Sequence, residues 1–187
     1  MTSTAPHSSY RGPVRLVLFD VDGVLTDGAI YVDGDKECVK RFNVRDGVAV
    51  ALLRAHGIAT GIVSGKASAA LDYRVSELKF DVAVTGCGDK LGAYQRICEE
   101  RGVADEQVVF VGDDVIDLAV MLRVGIACAP ADAHPLVLGI AHYVSPFRGG
   151  TGVARDVAEY VLTEGGLPLD DAYRPLTESW RGHAVVQ

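Results

Sequence analysis

Short apolar runs alternate with longer amphipathic segments along most of the chain, from Val14 to about Gly166. Six runs have the length and the β-branched content of buried strands: VRLVLFD, IATGIVSG, FDVAVTG, QVVFVGD, IACAP and AHYVS. The segments between them have apolar residues at helical spacing, and two of them stop at Gly57 and Gly102. Strands that alternate with helices predict a three-layer, Rossmann-like α/β fold with a mostly parallel sheet.

The alternation is interrupted once, between the first strand and the first helix. The segment AIYVDGDKECVKRFNV has two extended stretches around DGD, which predicts a small β-hairpin over residues 29–42. Residues 1–13 are small, polar and proline-containing, and we expect them to be disordered. Residues 167–187 lack periodicity and are expected to form a C-terminal tail. This leaves residues 14–166 as a single domain.

The composition excludes several classes of partner. The 187 residues carry a formal net charge of −7, which argues against binding of nucleic acid or of an anionic membrane surface. No apolar run approaches the length of a membrane span, and the N-terminus lacks the apolar core of a secretory signal. The four cysteines form no C-x-x-C pair, so we expect free thiols and a cytoplasmic protein.

Polar and acidic residues follow the predicted strands at their carboxyl ends or begin the next helix. They are Asp20, Asp22, Ser64, Gly65, Lys66, Lys90, Asp113, Asp114 and Asp117. Ligands of an open parallel sheet bind beyond the carboxyl ends of its strands. We therefore expect these side chains to converge on one edge of the sheet.

The residue types in this set favour phosphoryl chemistry. Several carboxylates crowded together repel each other, and Mg²⁺, a hard cation that prefers oxygen ligands, would relieve that repulsion. A lysine, a serine hydroxyl and the N–H groups of glycine-containing turns suit phosphate oxygens. One carboxylate could attack phosphorus as a nucleophile, and another two residues away could transfer protons.

The segments DVDGVLTDG, VSG, DK and GDDVID occur in this order, each after a predicted strand. Together they resemble the four signature motifs of the haloacid dehalogenase superfamily. The resemblance implies that Asp20 is the nucleophile and Asp22 the general acid and base. It also implies that Ser64 and Lys90 hold the phosphoryl group.

The same resemblance implies a metal site. Asp20, the backbone carbonyl of Asp22, and Asp113 would bind Mg²⁺. Asp117 would be a supporting acid behind these ligands, with Asp114 as a further candidate for that role. For Asp114, an N-cap of the following helix is an equally good interpretation of the sequence.

Members of the superfamily often insert a cap domain after the first or second motif, and here the spacing leaves no room for one. The stretches DGAIYVDGDKECVKRFNVRDG, VGDDVIDLAVMLRVG, ADAHPLVLGIAHYVS and GGTGVARDV resemble the capless 3-deoxy-D-manno-octulosonate 8-phosphate phosphatases. They also resemble the relatives of those enzymes that act on sialic-acid-type 9-phosphates. The similarity covers Val14 to about Gly166. It implies a Mg²⁺-dependent phosphatase of carbohydrate biosynthesis that works through an aspartyl-phosphate.

The resemblance also implies a homotetramer in which neighbouring subunits close each other's sites. The hairpin over residues 29–42 is expected at the subunit interfaces, and the tail over residues 167–187 is a second candidate. No nucleic-acid or membrane partner is expected.

One departure from the family concerns the substrate. The octulosonate phosphatases carry Thr-Gly-Arg after the second motif and the sialic-type relatives Thr-Gly-Glu, whereas this chain has Ser64-Gly65-Lys66. The hydroxyl and a cation are kept, but not the bidentate fork of arginine. A sugar-acid carboxylate is therefore the expected partner, and the sugar itself is left open. Arg74 matches an arginine of both subfamilies and is a second candidate for substrate contact.

Several alternatives remain at this stage. Lys66 and Arg74 could be ordinary surface charges. Arg45 could contact substrate or a neighbouring subunit, or could start a helix with Asp46 as its cap. As a whole, the chain could instead be a phospho-receiver module, or a regulatory or oligomerisation domain without catalysis. In phospho-receivers, the phosphorylated aspartate closes the third strand. Here the third predicted strand ends in AVTG and has no aspartate at that point, which disfavours the receiver.

Overall fold

The computed structural model describes residues 12–34 and 36–183, so the disorder expected for residues 1–13 lies almost wholly outside it. The strands are β1 (Leu16–Phe19), β2 (Tyr31–Asp33), β3 (Lys36–Val39), β4 (Ala59–Val63), β5 (Val82–Val84), β6 (Val108–Val111), β7 (Ile126–Ala129) and β8 (Tyr143–Val144). The α-helices are α1 (Val44–Ala55), α2 (Ala69–Leu78), α3 (Lys90–Arg101), α4 (Leu118–Met121), α5 (Pro135–Leu138), α6 (Val153–Glu164) and α7 (Leu169–His183). Short 3-10 turns cover Asp105–Gln107 and Val115–Asp117. Among the described helices, none has both the length and the apolar character that a membrane crossing requires.

Six strands form one sheet in the order β5-β4-β1-β6-β7-β8, and every neighbouring pair is parallel. The chain leaves β1 toward β4 and β5, then returns to the other side of β1 for β6, β7 and β8. The strand order therefore reverses beside β1, where open α/β sheets bind their ligands. The predicted parallel α/β sheet is confirmed.

Strand β1 is the centre of the core and is fully buried on both faces. Val17 and Phe19 belong to the core layer that contains apolar residues of α1, α6 and α7. Leu16 and Leu18 belong to the opposite layer, with residues of α3, α4 and α5. This alternation confirms three layers, and it makes β1 a rigid support for the residues that follow it.

The antiparallel pair β2–β3 confirms the predicted hairpin and forms its own two-stranded sheet. Its apolar side chains are exposed: Ile30 is 56%, Val32 62% and Val39 51% accessible to solvent. Only this hairpin, α1 and β4 separate Asp22 from Ser64, so the described chain has no cap domain at this point.

The C-terminal segment departs from the sequence prediction, because it forms helix α7 rather than an aperiodic tail. Ala172 and Leu176 are buried in the core layer next to α1 and α6, and Nε2 of His56 lies 2.8 Å from the carbonyl oxygen of Ala172. Pro175 lies inside this helix and disfavours it, but burial of the apolar face against α1 and α6 outweighs that cost.

Candidate active site

The register of the sheet brings three predicted site segments together. Phe19 of β1 pairs with Ile62 of β4 on one side and with Val111 of β6 on the other. The next residues along these strands therefore reach the same edge. There Asp20 and Ser64 are both buried, at 4% and 1% exposure.

Lys90 bridges two of the acids at this edge. Its Nζ lies 2.8 Å from Oδ1 of Asp20 and 2.7 Å from Oδ1 of Asp117. Burial lowers the pKa of Lys90, but the charges of both aspartates and their hydrogen bonds outweigh burial and raise that pKa. Lys90 is the first residue of α3, where a cation opposes the helix dipole, so the two carboxylates supply the reason for its position.

Asp117 and Asp114 have structural partners of their own. Oδ1 of Asp117 accepts from Lys90, and its Oδ2 accepts the backbone N–H of Asp113 at 3.1 Å. The side chain of Asp114 accepts the N–H of Val115 at 2.7 Å and caps the short turn that follows. Both oxygens of Asp117 are thus engaged, which suits a supporting acid better than a metal ligand.

Asp20, Asp113 and Asp117 each place a carboxylate oxygen within 4.8 Å of the other two. Burial and the charge of Asp117 raise the pKa of Asp20 to about 6, against the pull of Lys90. Burial and the neighbouring aspartates raise the pKa of Asp113 to about 8. Oδ1 of Asp113 is buried and accepts no hydrogen bond from the described residues. A hard divalent cation fits this arrangement, because it would offset the repulsion and give that oxygen a partner.

A cleft of about 290 Å³ opens above the acids. Its walls include Asp20, Asp22, Gly28, Gly65, Lys66, Asp113, Asp114 and Ile116. The structure therefore brings Gly65 and Lys66 to the cleft, as predicted. Ser64 lies beneath them, and its Oγ accepts the backbone N–H of Lys66 at 3.2 Å.

Arg74 and Arg45 do not line this cleft within the described chain. Arg74 donates to the carbonyl oxygen of Asn43 at 3.0 Å and lies over the ring of Phe42. Arg45 faces a separate depression beside Arg155. Their contacts with substrate stay predictions.

Helix α1 is capped differently from the sequence interpretation. The N-cap is Asn43, whose side chain accepts the N–H of Arg45, and not Asp46. Asp46 is buried instead, at 3% exposure, near the first N–H groups of α6. Burial raises the pKa of Asp46 to about 6, although the backbone N–H groups of Arg155 and Ala154 oppose the rise. Of the alternatives left open for this segment, the cap at Asp46 is wrong, because helix α1 begins at Val44 and Asp46 lies within its first turn.

Sequence reasoning missed two ion pairs that join the hairpin to the first motif. Nζ of Lys40 lies 2.5 Å from Oδ1 of Asp22, and a guanidinium nitrogen of Arg41 lies 2.9 Å from Oδ2 of Asp27. The partners are 18 and 14 residues apart. No local spacing rule connects them, and only the path of the hairpin brings them together.

The loop before α6 packs against the backbone of the first motif, DVDGVLTDG. Gly150 donates its N–H to the carbonyl oxygen of Val24 at 3.0 Å, and Gly149 donates to Oδ1 of Asp132 at 2.9 Å. A side chain at Gly149 would lie 2.1 Å from the carbonyl oxygen of Gly23. The two backbones can therefore approach this closely only because position 149 is a glycine.

The chain is similar in sequence to a known family of hydrolases and to named phosphatases. A family model of haloacid dehalogenase-like hydrolases matches residues 87–156. The chain is 42% identical over 173 residues to the 3-deoxy-D-manno-octulosonate 8-phosphate phosphatase of Yersinia pestis. That alignment covers 87% of this chain and 92% of the relative.

Solved structures of similar proteins agree with the fold. A phosphatase of the same name from Moraxella catarrhalis, in complex with magnesium ion, phosphate ion and a KDO molecule, matches with a TM-score of 0.78 and 30% identity. That match covers 81% of this chain and 87% of the other. The cobalt-bound deoxy-D-mannose-octulosonate 8-phosphate phosphatase of Haemophilus influenzae matches with a TM-score of 0.80 and 33% identity, over 82% and 90% of the two chains.

Proposed function

We propose that this chain, which belongs to the 3-deoxy-D-manno-octulosonate 8-phosphate phosphatase family of haloacid dehalogenase-like hydrolases, uses its cleft to hydrolyse the phosphomonoester of a small sugar acid. The protein is a phosphatase of that superfamily. The observation that supports the site most strongly is the buried bridge of Lys90 between Asp20 and Asp117, beside the acid Asp113. It places a fixed cation next to a buried carboxylate that lines the cleft.

In the first step, a carboxylate oxygen of Asp20 attacks the phosphorus atom of the substrate. The bond between phosphorus and the sugar oxygen breaks, and an aspartyl-phosphate forms on Asp20. Asp22, which lines the same cleft, gives its proton to the departing oxygen, so the sugar leaves as an alcohol.

In the second step, Asp22 removes a proton from a water molecule that attacks phosphorus. The bond between phosphorus and Asp20 breaks, and inorganic phosphate is released. Asp20 is again a carboxylate and Asp22 is again protonated, so the enzyme is ready for another substrate.

Lys90 and Ser64 hold the phosphoryl group in this proposal. Lys90 stays protonated because Asp20 and Asp117 raise its pKa, so it can offset the charge that develops on the transferred group. The hydroxyl of Ser64 offers a further donor at the end of β4. Asp117 holds Lys90 toward the nucleophile through its 2.7 Å contact.

The metal that fits the site is Mg²⁺, with Asp20, Asp113 and the backbone carbonyl of Asp22 as its ligands. When bound, it would neutralise phosphoryl oxygens and favour the ionised carboxylates. Cobalt and magnesium occur in structures of relatives, so the choice of Mg²⁺ rests on the all-oxygen donor set of this chain.

For the substrate, we favour 3-deoxy-D-manno-octulosonate 8-phosphate, the compound in the names of the relatives, over a sialic-acid-type 9-phosphate. Lys66 is exposed at the cleft and would pair with the carboxylate of the sugar acid. A neutral side chain there would leave that carboxylate without a counter-charge.

A homotetramer is proposed for the assembly. The exposed apolar residues of the hairpin segment support a subunit interface there, since Ile30, Val32 and Val39 are each more than half exposed. Helix α7 packs on its own subunit through Ala172 and Leu176, and its outer face is a further candidate. The cytoplasmic location expected from the sequence stays a prediction.

A phosphate-release screen tests the substrate. The enzyme is incubated with the octulosonate 8-phosphate, a sialic-acid-type 9-phosphate and a hexose 6-phosphate that has no carboxylate, each with Mg²⁺ or with EDTA. We expect Mg²⁺-dependent turnover with the order octulosonate, then sialic-type, then hexose. In Lys66→Ala, KM for the two sugar acids should rise about tenfold or more while the hexose is little affected. Equal preference for all three would refute the assignment of Lys66.

A further inference from the structure

Lys40 is a buried cation that directly contacts the acid Asp22. Its side chain is 1% exposed, whereas that of Asp22 is 28% exposed, and Nζ lies 2.5 Å from Oδ1. A buried ammonium group is costly unless a carboxylate compensates it. The contact therefore holds the Asp22 side chain from the side away from solvent.

We propose that Lys40 is a positioning residue for the two proton transfers of Asp22, an inference that rests on the function proposed above. Asp22 must give a proton to the departing sugar oxygen and later take one from water, and each transfer needs hydrogen-bond geometry. Aspartate in a turn can adopt several rotamers. The contact of Lys40 with Oδ1 restricts Asp22 to one of them and leaves Oδ2 to carry the proton.

Lys40 owes its place to the hairpin. It follows β3 directly and precedes α1, so the path of the chain out of the hairpin brings it under the first motif. The neighbouring residue Arg41 makes a similar ion pair with Asp27, but its side chain is 59% exposed. Arg41 thus provides a control in the same segment, with the same kind of bond and without contact to a reacting group.

The test separates proton donation from the other tasks of the site. With enzyme in excess, a single turnover is stopped by acid, and release of the alcohol reports the first step alone. One substrate is 3-deoxy-D-manno-octulosonate 8-phosphate, whose alcohol leaves poorly without a proton. The other is p-nitrophenyl phosphate, whose phenolate leaves without one.

In Lys40→Met, we expect alcohol release from the octulosonate phosphate to slow by about 30-fold or more, within the range of a lost general acid, while KM changes little. Release of p-nitrophenolate should slow by less than about threefold, since the donor is not needed there. Lys40→Arg should recover part of the octulosonate rate. Arg41→Met should match wild type on both substrates.

Several results would overturn the inference: equal slowing on both substrates in Lys40→Met, no slowing on either, or no recovery in Lys40→Arg. If Lys40→Met gives no folded protein by circular dichroism, Lys40→Arg takes its place. Lys40→Arg should slow alcohol release from the octulosonate phosphate, but by less than loss of the proton donor would. Release from the aryl phosphate should hardly change. Equal slowing on both substrates would again refute the inference. Absence of Mg²⁺-dependent phosphate release by the wild type would instead overturn the proposed function itself.

Discussion

The Cα atom of Gly23 faces the carboxylate of Asp113 so closely that a methyl group added to it would lie 2.0 Å from Oδ2. Gly23 also has a φ of +96°, which L side chains rarely adopt. The turn that follows Asp22 and the loop that carries Asp113 are therefore in direct contact. This contact requires glycine and places Asp113 beside the turn that carries Asp20 and Asp22, the other two residues of the proposed metal site.

Substitution of this glycine should disrupt the site. In Gly23→Ala, the new methyl group must displace Asp113. We expect phosphatase activity to fall by about 100-fold or more, because moving a group of the site by about 1 Å can cost that much in rate. Gly57→Ala is the matched control, because Gly57 also has a positive φ of +72°, while no described residue beyond its chain neighbours comes within 4 Å of the added carbon. The control should lose about 1 kcal/mol of unfolding free energy and keep its activity. Equal activity loss in both would contradict this explanation.

The dependence of the rate on Mg²⁺ concentration should distinguish Asp113, a proposed metal ligand, from Asp117, a supporting acid. In Asp113→Asn, we expect the Mg²⁺ concentration for half-maximal rate to rise by more than about 100-fold, since a charged ligand is lost. In Asp117→Asn the rise should be smaller, about 10-fold to 100-fold, because that side chain acts through Lys90 and backbone N–H groups. EDTA should abolish activity in all three proteins. A larger effect on Mg²⁺ in Asp117→Asn would show that the two roles are exchanged.

The buried carboxyl of Asp46 predicts a pH dependence of stability. Burial raises its folded-state pKa to about 6, above that of an unfolded aspartate, so the folded protein binds the proton more tightly. This contribution is present below about pH 4 and is lost as the pH rises through about 6. The free energy of unfolding of Asp46→Asn should therefore gain about 3 kcal/mol relative to wild type between pH 4 and pH 7.

Urea unfolding at several pH values measures that difference. Asp72→Asn, an exposed acid of α2, is the control, and its difference from wild type should vary by less than about 0.5 kcal/mol. A difference for Asp46→Asn that stays flat or falls with pH would show that the N–H groups at the start of α6 compensate the charge fully.

Helix α7 should behave as part of the folded domain. Leu176 is 8% exposed in the core layer with α1 and α6, so Leu176→Ala should lower the free energy of unfolding by about 2–3 kcal/mol. Glu178→Ala, two residues away and exposed, should change it by less than about 0.5 kcal/mol. Chemical denaturation followed by circular dichroism compares the variants. Indistinguishable midpoints would show that the helix adds nothing to the domain.

The central site was predictable because it depends on local pattern and on sheet geometry. The apolar run that ends at Asp20 predicts a buried strand, and parallel pairing then brings Ser64 and Asp113 to the same edge. No knowledge of long-range packing was needed for that step. The same holds for Lys66, which follows a strand end directly.

The remaining contacts depend on how whole elements pack, and the sequence does not show that. The pairing of Lys40 with Asp22 follows from the path of the hairpin, and the hydrogen bond of Arg74 to Asn43 follows from the packing of α2 against α1. Likewise, the burial of Asp46 depends on the approach of α6. Helix α7 was missed because its segment was interpreted as lacking periodicity, and its apolar face is buried only where the helix packs against α1 and α6.

The role of Asp20 as the nucleophile is the central claim, and substitution of its carboxylate tests it most directly. The measurement is the initial rate of phosphate release from 3-deoxy-D-manno-octulosonate 8-phosphate with saturating Mg²⁺, for wild type and for Asp20→Asn. We predict Mg²⁺-dependent turnover by the wild type and a fall of about 1,000-fold or more in the variant, with its circular dichroism spectrum unchanged. A folded Asp20→Asn protein that releases phosphate at the wild-type rate would contradict the account.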